Sequence, residues 1–127
     1  MKPEAIVPRG WKKPAAPYSP ATKKGNMVFT AGQVSLNEKG ELVGPGDIKA
    51  QTRQVLENIR ACLEAAGAEM EDVVMTNVFL TDVANYGGMN EVYQKYFLDN
   101  PPARACVITA LVKPEWMVEI EVIAVTG

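Results

Sequence analysis

Apolar residues recur at three- and four-residue steps between positions 48 and 66, which predicts an amphipathic helix. Asp47 precedes this stripe as a candidate N-cap, and Gly67 follows it as a C-terminal stop. A second stripe predicts a helix over residues 86–98, which ends before the Asn-Pro-Pro of residues 100–102. The first stripe consists of Ile48, Thr52, Val55, Leu56, Ile59, Cys62, Leu63 and Ala66, and the second of Met89, Val92, Tyr93, Tyr96 and Phe97.

Continuous apolar and β-branched runs predict the strands. They are residues 27–31, 33–36, 73–80, 104–110 and 117–125. Residues 33–36 continue the first run into a hairpin whose turn is residues 37–40, and residues 73–80 are typical of a strand covered on both faces. Five prolines in the first 25 residues exclude a long helix there and leave room for short edge strands at residues 5–7 and 18–19.

The predicted order β-β-α-β-α-β-β is an α+β pattern. It indicates one mixed, mostly antiparallel sheet with both helices packed on one face. Residues 1–127 contain no internal repeat, low-complexity tract or linker, so the chain is interpreted as one domain.

The amino-acid composition limits which catalytic mechanisms and partners are expected. The chain has 127 residues, a formal net charge of −2 and no histidine. Mechanisms that depend on imidazole are therefore disfavoured, and the acidic balance makes nucleic acids and membranes unexpected partners. Cys62 and Cys106 form neither a disulfide framework nor a zinc-type pair, so no metal is expected. The start, Met-Lys-Pro-Glu, lacks the apolar run of a signal peptide, and we expect a location in the reducing cytoplasm.

Charged residues stand in the last two predicted strands, where apolar residues are expected. Alternation puts Arg104 and Cys106 on one face of their strand, and Glu119 and Glu121 on one face of theirs. A hairpin turning near residues 111–112 would set Arg104 opposite Glu119. One interpretation is a solvated ion pair, worth only about 0.2–1 kcal/mol. The other is an anion site in which Arg104 binds a carboxylate beside Glu119 as a base.

The same predicted face carries apolar side chains as well. They are Met117, Ile123, Val125, Cys106 and Ile108. Because the helices cover the other face, we expect this face to be buried between subunits. A site built from Arg104 and Glu119 would then lie near a subunit boundary.

Short motifs are distributed along nearly the whole chain. Residues 102–107 read P-A-R-A-C-V and residues 16–19 read A-P-Y-S. Further segments are residues 25–33, 51–58, 65–67, 78–82, 89–97 and 118–121. Together these segments resemble the reactive-intermediate deaminase (Rid, YjgF-like) family, whose corresponding patterns are P-A-R-S-C-V and G-P-Y-S. One departure is Ala31, where many relatives have serine.

This resemblance implies a chorismate-mutase-like fold assembled as a homotrimer, with a central barrel made from the three sheets and active sites between subunits. It implies a hydrolytic deaminase that needs no cofactor. The implied reaction converts enamines and imines, such as 2-aminoacrylate and other 2-imino acids, to 2-keto acids and ammonia. The expected ligand is therefore a small 2-imino or 2-keto carboxylate.

The resemblance also implies roles for matched residues. Arg104 matches an arginine that binds the substrate carboxylate. Glu119 matches a glutamate that holds the attacking water, helped by the main-chain carbonyl of Cys106. Tyr18 matches a tyrosine that lines the cleft near the reacting carbon, and Gly32 a glycine whose backbone approaches the ligand.

Asn90 matches a family asparagine with a supporting role. Other interpretations remain open for two residues: Tyr18 is alternatively an interface aromatic, and Cys106 a packing residue or a reactive thiol. Two further functions are also open. One is a 2-aminomuconate-type deaminase of an aromatic degradation pathway, and the other is a non-enzymatic or RNA-directed protein, such as a translation inhibitor, ribonuclease or chaperone.

Overall fold

The computed structural model describes residues 2–127, which form six strands and two α-helices. In chain order these are β1 (Glu4–Ile6), β2 (Ala21–Lys24), β3 (Met27–Thr30), α1 (Ile48–Ala65), β4 (Val73–Leu80), α2 (Tyr86–Tyr96), β5 (Ala103–Ile108) and β6 (Val118–Val125). All six strands belong to one sheet, in the order β1-β2-β3-β6-β4-β5. The predicted fold class, a single mixed sheet with two helices, is confirmed.

The sheet is antiparallel except at one edge. β6 lies between β3 and β4 and runs antiparallel to both, whereas β5 runs parallel to β4. α2 provides the crossover from β4 to β5, which is the kind of connection that parallel neighbours require. This crossover brings the end of α2 and the start of β5 close together.

The two helices pack on one face of the sheet, and the core lies between these layers. Asp47 caps α1 as predicted, because its side chain accepts a hydrogen bond from the Ala50 N–H at 3.1 Å. Gly67 follows α1 with a φ of 81°, a conformation that favours glycine. The buried sheet residues that face the helices include Val78, Leu80, Val118, Ile120, Val122 and Ala124. No helix within residues 2–127 has the length and hydrophobicity needed to cross a membrane.

The last two strands do not pair with each other, so the predicted hairpin is wrong. β4 lies between them: Thr76 is opposite Arg104 on β5, and Phe79 is opposite Glu119 on β6. Residues 109–117 are long enough to carry the chain across β4. The central position gives β4, which carries apolar residues on both of its faces, hydrogen-bonding partners on both sides.

Three smaller predictions also differ from the structure. Residues 18–19 do not form a strand, because they lie between two prolines that have no N–H to donate, and β2 begins after the second of them. Residues 33–36 make only isolated bridges, one of them between Gln33 and Ile120. α2 ends at Tyr96 rather than residue 98, two residues earlier than the apolar stripe indicates.

The face of the sheet opposite the helices, called here the open face, is largely apolar. It carries Phe29, Met75, Phe79, Ala103, Ala105, Val107 and Ile123 together with Glu119 and Glu121. Val107 is 47% exposed and Phe29 38% exposed. The predicted membership is partly wrong, since Cys106 and Ile108 are opposite Val78 and Leu80 and lie on the helix side.

Candidate active site

Arg104 is held in position by three residues of α2. Its Nη1 donates to Oδ1 of Asn90 at 2.7 Å, and its Nη2 donates to the hydroxyl of Tyr86 at 3.0 Å. Its guanidinium carbon lies 4.8 Å from the ring centre of Tyr93 and 5.6 Å from that of Tyr86, within the range of cation–π attraction. No carboxylate within residues 2–127 forms an ion pair with Arg104. The guanidinium is therefore fixed in place without being neutralised.

The register of β5 against β4 places Arg104 beside α2. Arg104 is opposite Thr76, whose side chain points to the helices and shares a 2.7 Å hydrogen bond with the Tyr93 hydroxyl. Burial raises the pKa of Tyr93, so its hydroxyl stays protonated at neutral pH. Arg104 and Asn90 line a cleft of about 480 Å³. The apolar walls of this cleft include Phe97, Leu98, Pro101 and Pro102.

Cys106 lies on the same side of β5 as Arg104. Its side chain packs against the core, and burial raises the pKa of its thiol although the nearby Arg104 charge opposes that shift. A raised pKa keeps the thiol neutral and poorly nucleophilic. The geometry therefore favours packing over nucleophilic chemistry for this side chain, and the role of the Cys106 carbonyl stays a prediction.

Arg104 and its partners are the first polar group of the candidate site. The second lies on the open face and consists of the Glu119 carboxylate and the backbone of Gly32. Gln33 and Ile120 exchange backbone hydrogen bonds of 2.8 and 3.1 Å, which hold Gly32 beside Glu119. A Cβ at position 32 would lie 2.7 Å from the Glu119 carboxyl carbon, so the carboxylate can hold this position only because residue 32 is glycine. Burial, and then the neighbouring Glu121 carboxylate, raise the pKa of Glu119. Glu119 therefore holds a proton more readily than an exposed glutamate does.

Tyr18 and Gly32 line a cleft of about 310 Å³. The Tyr18 side chain is 57% exposed, and its backbone N–H donates to the Ala16 carbonyl at 2.9 Å. Trp11 forms a further wall of the cleft. Because Gly32 lies next to the Glu119 carboxylate, this cleft adjoins the second polar group.

The two polar groups lie on opposite faces of the sheet. Arg104 shares its face with Thr76 and the helices, whereas Glu119 is opposite Phe79 on the open face. The prediction that Arg104 and Glu119 share a face is wrong, because β4 separates their strands and sets the side-chain direction on each. These opposite directions exclude an Arg104–Glu119 ion pair within one chain.

Two residues that contact Arg104, Tyr86 and Tyr93, are not identified by the sequence motifs as site residues. Tyr93 belongs to the apolar stripe of α2, and Tyr86 stands at the first position of the helix. A signal is nevertheless present, because Tyr86, Asn90 and Tyr93 follow one another at helical spacings of four and three residues. Once Asn90 has a role, its neighbours on the same helix face become candidates.

The groups assembled here offer two kinds of chemistry. Arg104 can bind an anion through its remaining N–H groups, and Glu119 can accept and return a proton. Within residues 2–127, no three Cys, Asp or Glu side chains cluster as a metal site would require.

The fold and the two polar groups define a class of protein: a six-stranded α+β domain with an arginine fixed beside its second helix and a desolvated glutamate on the opposite sheet face. The profile of the family described as Endoribonuclease L-PSP matches residues 11–126. The chain belongs to this family, which is the Rid or YjgF-like family indicated by the sequence motifs.

Three relatives illustrate the extent of the similarity. The 3-aminoacrylate deaminase RutC of Acinetobacter baylyi is 45% identical over 124 residues, which are 98% of this chain and 98% of RutC. The crystal structure of the E. coli YjgF gene product is 36% identical with a TM-score of 0.87, covering 98% of this chain and 99% of that one. E. coli TdcF, solved with bound serine, is 34% identical with a TM-score of 0.88 and the same coverage, 98% and 99%.

Proposed function

We propose that this protein is a hydrolytic deaminase that converts 2-imino acids and their enamine tautomers, such as 2-aminoacrylate, to 2-keto acids and ammonia without a cofactor. The observation that carries the proposal is Arg104, a fixed planar cation without a carboxylate partner among residues 2–127. Such a guanidinium matches the two oxygens of a carboxylate. The activity in the name of RutC and the serine bound to TdcF support a small amino or imino carboxylate as ligand.

In the proposed reaction Arg104 binds the substrate carboxylate and orients C2. Glu119 takes a proton from a water as the water oxygen bonds to C2, and returns it to the imine nitrogen to give an amino alcohol. A second transfer moves the hydroxyl proton to the nitrogen, so that the C2–N bond breaks, ammonia leaves and C2 becomes a carbonyl carbon. Tyr18 hydrogen-bonds the nitrogen or the developing oxygen, and the Cys106 carbonyl helps to hold the water.

The environment of Glu119 suits this role. Its raised pKa brings its proton affinity closer to neutral pH, where a general base that must also return the proton is most efficient. The structure records no hydrogen bond to its carboxylate from another side chain within residues 2–127, so the carboxylate is available to a water.

We assign the complete site to a boundary between subunits of a homotrimer. Within one chain Arg104 and Glu119 point to opposite faces, so Arg104 and Asn90 of one chain would meet Glu119, Gly32 and Tyr18 of another. The apolar open face supports the assembly, because three such sheets closed into a central barrel would bury it.

Mixing two inactive variants tests the shared site. Arg104→Ala removes the carboxylate-binding group and Glu119→Gln removes the base, so each variant alone is expected to be inactive in ammonia release from 2-iminobutanoate. If the site is shared, a random co-expressed mixture regains about a quarter of the wild-type sites, because one boundary in each mixed trimer combines the intact half of each variant. The composition of the mixed oligomers is checked by native mass spectrometry.

Mixed oligomers without recovered activity would overturn the shared site. A single variant that keeps wild-type activity would instead overturn the role assigned to the residue it lacks. The unmixed variants, combined after purification without subunit exchange, are the control and are expected to stay inactive.

A further inference from the structure

The three tyrosines of α2 differ in what their hydroxyl groups contact. The hydroxyls of Tyr93 and Tyr96 each pair with another protein side chain at 2.7 Å. The hydroxyl of Tyr86 accepts a hydrogen bond from Nη2 of Arg104 at 3.0 Å, and the structure records no acceptor for its own proton within residues 2–127. Tyr86 is therefore the tyrosine of α2 whose O–H is available to a bound molecule.

The position of Tyr86 places this proton beside the anion-binding group. Its side chain is 43% exposed, so a ligand can reach the hydroxyl. Asn90 and Tyr86 each take one N–H of Arg104 and leave three of the five for a ligand. The Tyr86 hydroxyl is hydrogen-bonded to Nη2. An anion that binds the Nη2 end of the guanidinium therefore comes within reach of the Tyr86 hydroxyl proton as well.

We propose that Tyr86 is a further carboxylate-binding residue of the site, which donates its hydroxyl proton to one oxygen of the anion that Arg104 holds. The inference rests on the proposed function for the class of ligand, a small 2-imino or 2-keto monocarboxylate. The hydroxyl accepts from a cation and donates to an anion, and such chained hydrogen bonds strengthen each other. Tyr86 thereby adds a neutral donor group to the site without adding charge.

Two variants that remove one hydroxyl each provide the test. Tyr86→Phe keeps the ring beside Arg104, and Tyr96→Phe is the matched control on the same helix, with its ring 5.1 Å from the guanidinium carbon of Arg60. The probe is 2-oxobutanoate, measured by isothermal titration calorimetry. Tyr86→Phe is expected to raise the Kd about tenfold, the effect of one hydrogen bond to a charged group. Tyr96→Phe is expected to leave the Kd unchanged.

Kinetics separate ligand binding from a general structural role. For hydrolysis of 2-iminobutanoate, generated in the assay by an amino-acid oxidase, Tyr86→Phe is expected to raise KM about as much as Kd and to leave kcat within about twofold. A wild-type Kd in Tyr86→Phe overturns the proposal, and so does an equal rise in Tyr96→Phe. Wild-type protein that hydrolyses no imine would contradict the proposed function, while the Kd series would still decide the role of Tyr86.

Discussion

The two polar groups of the candidate site are built in opposite ways. Arg104 is surrounded by directed contacts from neutral side chains, so its position is fixed and its charge is retained. Within residues 2–127, Glu119 has no such set of contacts. It is close to Gly32, partly removed from water and beside a second carboxylate, so its protonation is what the surroundings control. One group is organised for geometry and the other for proton affinity.

The arrangement of the sheet explains how one chain can contain both an arginine unpaired within residues 2–127 and a glutamate with raised proton affinity. An ion pair between Arg104 and Glu119 would occupy the N–H groups of the arginine and would lower the pKa of the glutamate. Their directions on opposite faces prevent that pairing within a chain. The separation therefore keeps both an anion-binding cation and a proton-accepting carboxylate available, as the proposed site between subunits requires.

Removing the guanidinium tests the first group and has the largest expected effect. Arg104→Ala is expected to lower kcat/KM for 2-iminobutanoate at least about 100-fold, because hydrogen bonds to a charged group worth about 3 kcal/mol are lost. Arg104→Lys is expected to restore only part of the activity, since an ammonium lacks the planar fork that contacts Asn90 and Tyr86 together. Release of ammonia is the measured quantity.

Arg60→Ala is the matched control for the arginine variants. Arg60 also lies over a tyrosine ring of α2, but it pairs with Glu57 and does not line the cleft that contains Arg104. We expect wild-type kcat/KM in this variant, and a comparable loss would refute the specific role of Arg104. Parallel assays with 2-aminomuconate and with RNA address the other functions: RNA cleavage that survives Arg104→Ala would favour an RNA-directed protein.

Local patterns were sufficient for both helices, for most of the strands and for the fold class, but not for the short strand β2 or for the strand order. The stripe over residues 48–66 and the cap at Asp47 depend on neighbours within one turn of helix, so the sequence predicts them directly. Whether β5 lies next to β6 or next to β4 depends on pairing across the whole chain. This one difference moved Arg104 from the open face to the helix side.

The candidate site shows the same limit. Motif similarity indicated Asn90 and Gly32, and the structure places the first against Arg104 and the second against Glu119. Tyr86 belongs to no motif and gains its contact only where β5 approaches α2. Contacts between a helix and a strand that the crossover brings together are not visible in local sequence. The only signal for Tyr86 is its helical spacing from Asn90 and Tyr93.

Gly32→Ala tests the second group and has an intermediate expected effect. The added Cβ would lie 2.7 Å from the Glu119 carboxyl carbon, so that carboxylate must move. We expect kcat to fall about tenfold, because a displaced base is poorly oriented, while KM changes less because Arg104 is untouched. Steady-state kinetics of 2-iminobutanoate hydrolysis measure both values.

Gly87→Ala is the control for that substitution. Apart from the adjacent residues and the backbone of its own helix, nothing within residues 2–127 lies within 4 Å of a Cβ built at Gly87, which is part of α2. Activity is expected to be unchanged, and the free energy of unfolding is expected to rise by about 0.5–1 kcal/mol because alanine favours the helix. Unchanged kcat in Gly32→Ala would show that the position of the Glu119 carboxylate does not matter to the reaction.

Glu121→Gln has the smallest expected effect, a shift in pH dependence. Burial is the larger cause of the raised pKa of Glu119, and the Glu121 charge is the second. Removing that charge makes Glu119 easier to ionise and lowers its pKa towards the usual range. In the proposed reaction Glu119 must be ionised, so kcat/KM is expected to decline as the pH falls through this pKa. In the variant the decline is therefore expected to begin at a lower pH than in the wild type.

The measurement is kcat/KM for 2-iminobutanoate across the acid range in which the protein stays folded. Glu64→Gln, at an exposed position of α1, is the control and is expected to leave the decline at the wild-type pH. If the decline in Glu121→Gln occurs at the wild-type pH, a group other than Glu119 determines that pH. The pH dependence would then no longer support Glu119 as the base. A lower onset with an unchanged Kd for 2-oxobutanoate would confine the effect to Glu119, because the contacts that fix Arg104 do not depend on the charge at position 121.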